Sequence, residues 1–286
     1  MKIRSAWAVC KWQLLGWTGN PRVILALLIA IVAALMEPIR FLDFAHRMDE
    51  PIQVLEPFIY DACANFIMTL LFLGSLLLFA DAPFTEQSAL YSITRSGKAA
   101  WILGKIIYLL IAALIYVAVA AVSTVLYAIK DAFAGNIWST PFYDMVVKNA
   151  AVNDYRMGMD NKAILVNFSP YAAFAVSFML SVCYLFVNGL LLFAINIGGN
   201  RILGFAVVSA VHCFGYLFSG YSFSRILPFT HALLSNHSFV GAFGNASGPG
   251  VIESFIYFLL MIVFLCTVIY QRSQNIDFRI SVGTKQ

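Results

Sequence analysis

From Trp101 to Leu126 the chain carries a single formal charge, Lys105, in a run dominated by Leu, Ile, Ala and Val. A helix needs about 20 mainly apolar residues to cross a hydrocarbon core, and this run supplies them without interruption. A water-soluble fold would have to cover such segments with charged surface. Only 11% of the residues are charged and 61% are hydrophobic, where ordinary soluble domains hold roughly a quarter charged. A soluble enzyme, a disordered chain and a disulfide-stapled secreted domain are thereby set aside.

Five further runs have the same character: Val23–Leu42, Phe58–Ala80, Tyr171–Ile195, Ile202–Tyr221 and Val251–Tyr270. The first loses its apolar continuity at Met36, before Glu37, Pro38 and Arg40, and the last carries Glu253 near one end. A membrane β-barrel would alternate apolar and polar positions, whereas Leu70–Ala80 is apolar on every side. The expectation is an all-α integral membrane protein with six transmembrane helices in one domain spanning residues 1–286.

Charge distribution sets the orientation, because Lys and Arg collect on the cytoplasmic side. With both termini inside, the inner segments hold eleven cations, among them Arg95, Lys98, Lys105, Arg201 and Arg272, against three acids. The outer segments hold seven cations against eleven acids, with Glu37, Asp43, Asp49, Glu50, Glu56 and Asp61 around the first loop. The net charge of +4 is a matter of topology, and no nucleic-acid partner follows from it.

Met1–Gly19 has early cations but no apolar core, so it does not read as a cleaved signal. Ile3, Trp7, Cys10, Leu14 and Trp17 recur at helical steps, which predicts an amphipathic interfacial helix anchored by Trp7, Trp12 and Trp17. The segment Asp81–Ala100 predicts a short cytoplasmic helix, with Thr85 as its N-cap and Glu86 in the first turn, where negative charge is favoured. About two turns are marginal alone in water, so that helix implies docking onto lipid or protein. On the outside, 127–168 is long enough to hold structure of its own. Ile226–Phe229 and Phe239–Phe243 are apolar but broken, as in re-entrant or interfacial segments.

Chemistry is sparse. The five cysteines are scattered singly and form no metal or disulfide pattern. No catalytic motif and no phosphate-binding loop occur, so neither catalytic residues nor a metal or cofactor is expected in this chain. His212 lies midway along the fifth span and suits a proton or ligand site; a hydrogen bond to a neighbouring helix is the other role open to it. Asn65, Asn188 and Asn196 either bond between helices or line a route. Ala26, Ala30 and Ala34 form a small-residue face for close helix approach.

Thr85, Glu86, Gln87, Leu90, Tyr91, Thr94 and Arg95, followed by Leu103-Gly104-Lys105, resemble the loop after the second span in the ABC type 2 permease family. The resemblance covers about twenty residues, and Ser88 or Ala89 stands where the family often has Gly. The amphipathic start, the six spans and the broken segments before the last span are similar to that family as well. The resemblance implies the membrane subunit of a bacterial cell-membrane exporter paired with a second permease, identical or related. Two separate ATPase subunits would bind ATP and Mg, and residues 85–94 would be the coupling helix seated on them. The implied cargo is a peptide, antibiotic, lipid or other amphipathic molecule. Three other readings compete: an accessory or immunity protein that binds an external ligand without transporting it, an ion-gradient carrier, and a membrane enzyme. The carrier lacks paired acids within the central spans, and the enzyme lacks a catalytic cluster.

Overall fold

The computed structural model describes residues 2–80, 82, 93, 95–159, 161–197, 201–239 and 248–274. The chain opens with α1 (Lys2–Leu15) and turns at residues 16–19 into α2 (Pro21–Met48). Asn20 caps α2 by accepting the Arg22 N–H at 3.0 Å, and Pro21 takes the first helical position, where its missing donor costs nothing. The apolar run predicted an end at Leu42, yet α2 continues through Pro38 to Met48. Two features carry it past the proline: Glu37 pairs with Arg40 at 2.7 Å, and Phe41, Phe44 and Ala45 bury one face.

Two parallel strands of two residues, β1 (Ile52–Gln53) and β2 (Ala132–Phe133), tie the first loop to the long one. The predicted second span, Phe58–Ala80, is not one straight helix. It divides into α3 (Glu56–Cys63) and α4 (Asn65–Phe79), bent by 83° at Ala64, whose backbone is extended. The Cys63 carbonyl released by this break accepts a hydrogen bond from Ser235 Oγ at 2.9 Å, and every residue of α3 is buried.

Gly97, at φ 80°, starts α5 (Lys98–Ala128) in a conformation that favours glycine. The long loop folds locally into α6 (Thr140–Val147), α7 (Val152–Tyr155) and α8 (Ile164–Asn167). Then come α9 (Pro170–Asn196) and α10 (Arg201–Leu217). A 3-10 turn (Ser222–Ile226), α11 (Pro228–Ala232) and a second 3-10 turn (Leu234–Asn236) occupy the next loop. The last helix is α12 (Val251–Gln274).

Among the described residues, α2, α5, α9 and α12 are each long and apolar enough to cross a membrane, and α3 with α4 qualifies as a bent pair. The helix α10 has 17 residues, ends at Leu217 rather than Tyr221, and is shorter than α2, α5, α9 and α12. The protein is therefore a multi-pass, all-α membrane protein. Ala26, Ala30 and Ala34 are all buried on α2, which packs on α4 and α5, so the small-residue face is used within the chain. The helix α9 lies at the centre, against α3, α4, α5, α10, α11 and α12.

The helix ends sort into two groups. At a basic end, Lys98 Nζ donates to Gln274 O at 3.3 Å and Arg272 to Ala194 O at 2.9 Å. Asn196 Nδ2 donates there to Ala82 O at 2.8 Å. The opposite end carries the strands, α3 and the two folded loops, which together make a cap.

Candidate functional site

A cavity lies at the break at Ala64. About 350 Å³ in volume, it lies between the α3–α4 corner, residues 158–159, the turn after α10 and the segment around α11. Tyr60, Asn65, Arg225, Thr230 and Asn236 are in its wall. Among the described residues, the hydroxyl of Thr230, which is 3% exposed, meets no hydrogen-bond partner, and Asn236 Nδ2 meets none either. No side chain caps the N-terminus of α4, and Ala64 and Asn65 at that terminus also border the cavity.

Behind the wall, one serine joins α12 to the cap. Ser254 Oγ lies 2.8 Å from His231 Nδ1 and 2.8 Å from His237 Nε2, all three residues being buried. Each ring donates its other nitrogen to a carbonyl, His231 to Arg225 O at 2.7 Å and His237 to Leu233 O at 2.9 Å. Those donations fix both tautomers and leave two acceptor nitrogens facing a hydroxyl that has one proton to give. Burial nevertheless holds both rings below the ordinary imidazole range, His237 down to about 4, against the upward pull of their carbonyl bonds and of the nearby Glu253. Desolvation of an imidazolium is thus the larger effect, and the pair stays neutral at pH 7.

A pH dependence follows. In an undocked cap the same rings titrate near 6.5. The undocked state then binds more protons between about 6.5 and about 4, so the docked cap loses stability as pH falls through that window. The melting temperature of the purified protein is expected to drop between pH 7 and pH 5, and to drop less in His237→Gln. Equal slopes in the two proteins would rule out this origin.

A second cap anchor centres on Glu56. Its carboxyl accepts from Ser139 N at 2.7 Å, Ser139 Oγ at 2.5 Å and Gln53 N at 3.0 Å. The same Ser139 Oγ caps α6 by accepting from Phe142 N at 3.2 Å. Nearby on α3, Asp61 is wholly buried, and neither of its oxygens meets a donor among the described residues.

The intramembrane residues singled out in the sequence come together differently. Thr69 Oγ1 donates to Asn65 O at 2.9 Å, which leaves it to accept from His212 Nε2 at 3.2 Å. Tyr184 donates to His212 Nδ1 at 2.5 Å, and Asn188 Nδ2 donates to Tyr184 O at 2.9 Å. Phe72 stacks on the His212 ring at 3.8 Å, and Phe229 meets its edge at 5.1 Å. His212 thereby has both ring nitrogens bonded and locks α10 to α4 and α9, and the interhelical role describes it. Asn65 does border the cavity, whereas Asn188 and His212 are not among its described wall residues.

At the basic end, Trp7 and Trp12 are 53% and 70% exposed, while Trp17 turns inward to donate to Tyr108 OH at 3.0 Å. The opposite face of α1 buries Ala6, Val9 and Cys10 against α5. A Cβ on Gly104 would stand 2.6 Å from Ala6 O, so the two helices meet backbone to backbone there. Lys105 is buried and bonds Gln13 on α1. Of the proposed coupling residues, Thr85, Glu86, Gln87, Leu90, Tyr91 and Thr94 lie outside the described residues. Arg95 is described and exposed, in the helical turn before Gly97.

Sequence inspection passed over His231, His237 and Ser254. The available signal was that three of the four histidines fall after residue 200, two of them in the broken apolar loop. No group of metal-binding side chains occurs among the described residues. No family model, curated protein or solved structure matches the chain.

Proposed function

We propose that the chain is the permease subunit of a bacterial cell-membrane exporter, with six spans, cytoplasmic termini, and separate ATPase subunits that supply the energy. It pairs with a second permease, identical or related, and moves a peptide, antibiotic, lipid or other amphipathic cargo outward. The observation that carries this reading is the docking of α1 along the start of α5 through Gly104 and Lys105. A push on residues 85–95, immediately before α5, would move α5 and α1 as one body and pass directly into the bundle. In this reading α4 and α10 are the two short spans, and the basic end faces the cytoplasm, in keeping with the distribution of Lys and Arg.

The test is retention of an ATPase on the purified chain. Glu86→Arg and Leu90→Asp are expected to abolish co-purification of the ATPase and stimulation of its activity while leaving membrane insertion intact. Complex formation and transport unchanged in both variants would defeat the proposal. One observation favours a second reading, an accessory protein that binds an external ligand without transporting it: the polar cavity opens within the cap. In that case no ATPase co-purifies with the wild-type chain, and ligand binding persists without transport.

A further inference from the structure

We propose that the face of α1 turned away from α5, carrying Arg4, Trp7, Lys11 and Trp12, docks onto anionic phospholipid headgroups. The level of this helix follows from the charges of α5. No charged residue falls between Lys105 and Lys130, and an apolar stretch of that length suits the roughly 20 residues that cross a hydrocarbon core. Lys105 therefore marks the boundary of the core at the basic end, and α1 meets α5 at that height. The direction of α1 follows from the same contacts: Ala6 lies against Gly104 and Gln13 against Lys105. About 10 Å of α1 thus passes a single residue step of α5, about 1.5 Å. The two helices cross steeply, so α1 runs closer to the membrane plane than to its normal.

The composition of the exposed face selects the lipid. Arg4, Trp7 and Lys11 stand at i, i+3 and i+7, which is one stripe of a helix. All three are exposed, and so is Trp12. No acid occurs in α1, and among the described residues neither Arg4 nor Lys11 meets a carboxylate. Two cations without counter-ions, set between indoles at headgroup depth, are complementary to phosphate. A guanidinium offers phosphate oxygens a planar fork of donors, and indoles rest where headgroups meet acyl chains. Ile3 and Leu15, also exposed, extend the apolar part of the face toward those chains. An anionic surface is worth roughly a fivefold preference for each such cation. Because α1 and α5 meet backbone to backbone at Gly104, the lipid's grip bears directly on the start of α5. Lipid docking needs only that α5 spans the bilayer, and it is separate from any coupling to an ATPase.

The full chain in nanodiscs of phosphatidylcholine and phosphatidylglycerol in equal parts provides the test. Bromine is placed on the chains of one lipid or of the other, so the surface charge stays constant while tryptophan quenching reports which lipid lies beside the indoles. The double variant Trp7→Phe/Trp12→Phe supplies the background from the remaining tryptophans. Brominated phosphatidylglycerol is expected to quench Trp7 and Trp12 at least about twofold more than brominated phosphatidylcholine. That preference should vanish in Arg4→Gln/Lys11→Gln and fade at high salt. Both replaced side chains are exposed, so the melting temperature of this variant is expected to match wild type. Equal quenching by the two lipids in the wild-type protein overturns the proposal, as does a preference that survives in Arg4→Gln/Lys11→Gln. Quenching of Trp7 and Trp12 by neither lipid also overturns it, and shows that this face meets water or a protein instead.

Discussion

Replacing Glu56 by Ala is expected to lower the stability of the folded protein by about 3 kcal/mol, the cost of leaving two or three buried donors unpaired. The carboxyl is the shared acceptor for Gln53 N, Ser139 N and Ser139 Oγ. These groups belong to separate parts of the cap: β1 precedes α3, and Ser139 begins α6. Removing the acceptor therefore leaves the β1–β2 pairing to hold the long loop to the first one, and the docking of α6 loosens. Ser139 would still cap α6, because Phe142 N donates to its hydroxyl independently. The helix α6 should survive locally while its docking fails. Hydrogen exchange of peptides covering 131–147 reports this directly. Rapid exchange across the β2–α6 junction is expected in Glu56→Ala, and protection equal to wild type would contradict the assigned role. Ser139→Ala, which keeps the backbone donor, should show a smaller loss.

Gly104→Leu is expected to pull α1 off α5. Even a Cβ at this position would lie 2.6 Å from Ala6 O and 2.8 Å from Val9 Cβ, and neither backbone nor β-carbon can move aside without moving α1. Overpacking of this kind costs about 1–3 kcal/mol. Polar contacts at this interface include Gln13 with Lys105 and, just beyond the helix, Trp17 to Tyr108 at 3.0 Å. Cys10 is buried in the same interface and provides the readout. In a background where Cys10 is the only cysteine, a maleimide should label Gly104→Leu about tenfold faster than wild type, since each 1.4 kcal/mol of lost docking is a factor of ten. Unchanged labelling would show that α1 is fixed by something other than this approach.

Apolar runs alone revealed where the long helices lie, because twenty residues without charge admit few other structures. They could not reveal the bend at Ala64. Phe58–Ala80 is apolar enough to read as one run despite Asp61 and Asn65, and hydropathy records composition and not direction. Nor could the small pairing of β1 with β2 be read, since two residues per strand are too few to show alternation. Glu56 and Asp61 were legible as members of an acidic first loop, but a charge count assigns acids to the solvent, and both are buried here. His212 was visible as an anomaly; only the positions of Tyr184 and Thr69 identify it as a packed, hydrogen-bonded residue. The cavity itself draws on four separated segments, and no spacing rule connects Asn65 with Arg225 and Asn236.

The shortness of α4 has a consequence for the surrounding lipid. Fifteen residues rise about 22 Å, against about 30 Å of hydrocarbon in a typical bilayer. The shortfall lies on the side of α3, which runs nearly at right angles to α4 and is wholly buried beneath the cap. A bilayer meeting this flank has to thin, or the cap has to occupy part of the leaflet on its own side. Either accommodation sets a hydrophobic mismatch on one flank of the molecule, opposed by full-length helices such as α2 and α12 on others. A change in lipid chain length would therefore bear on the flank at the Ala64 corner differently from the flanks formed by α2 and α12.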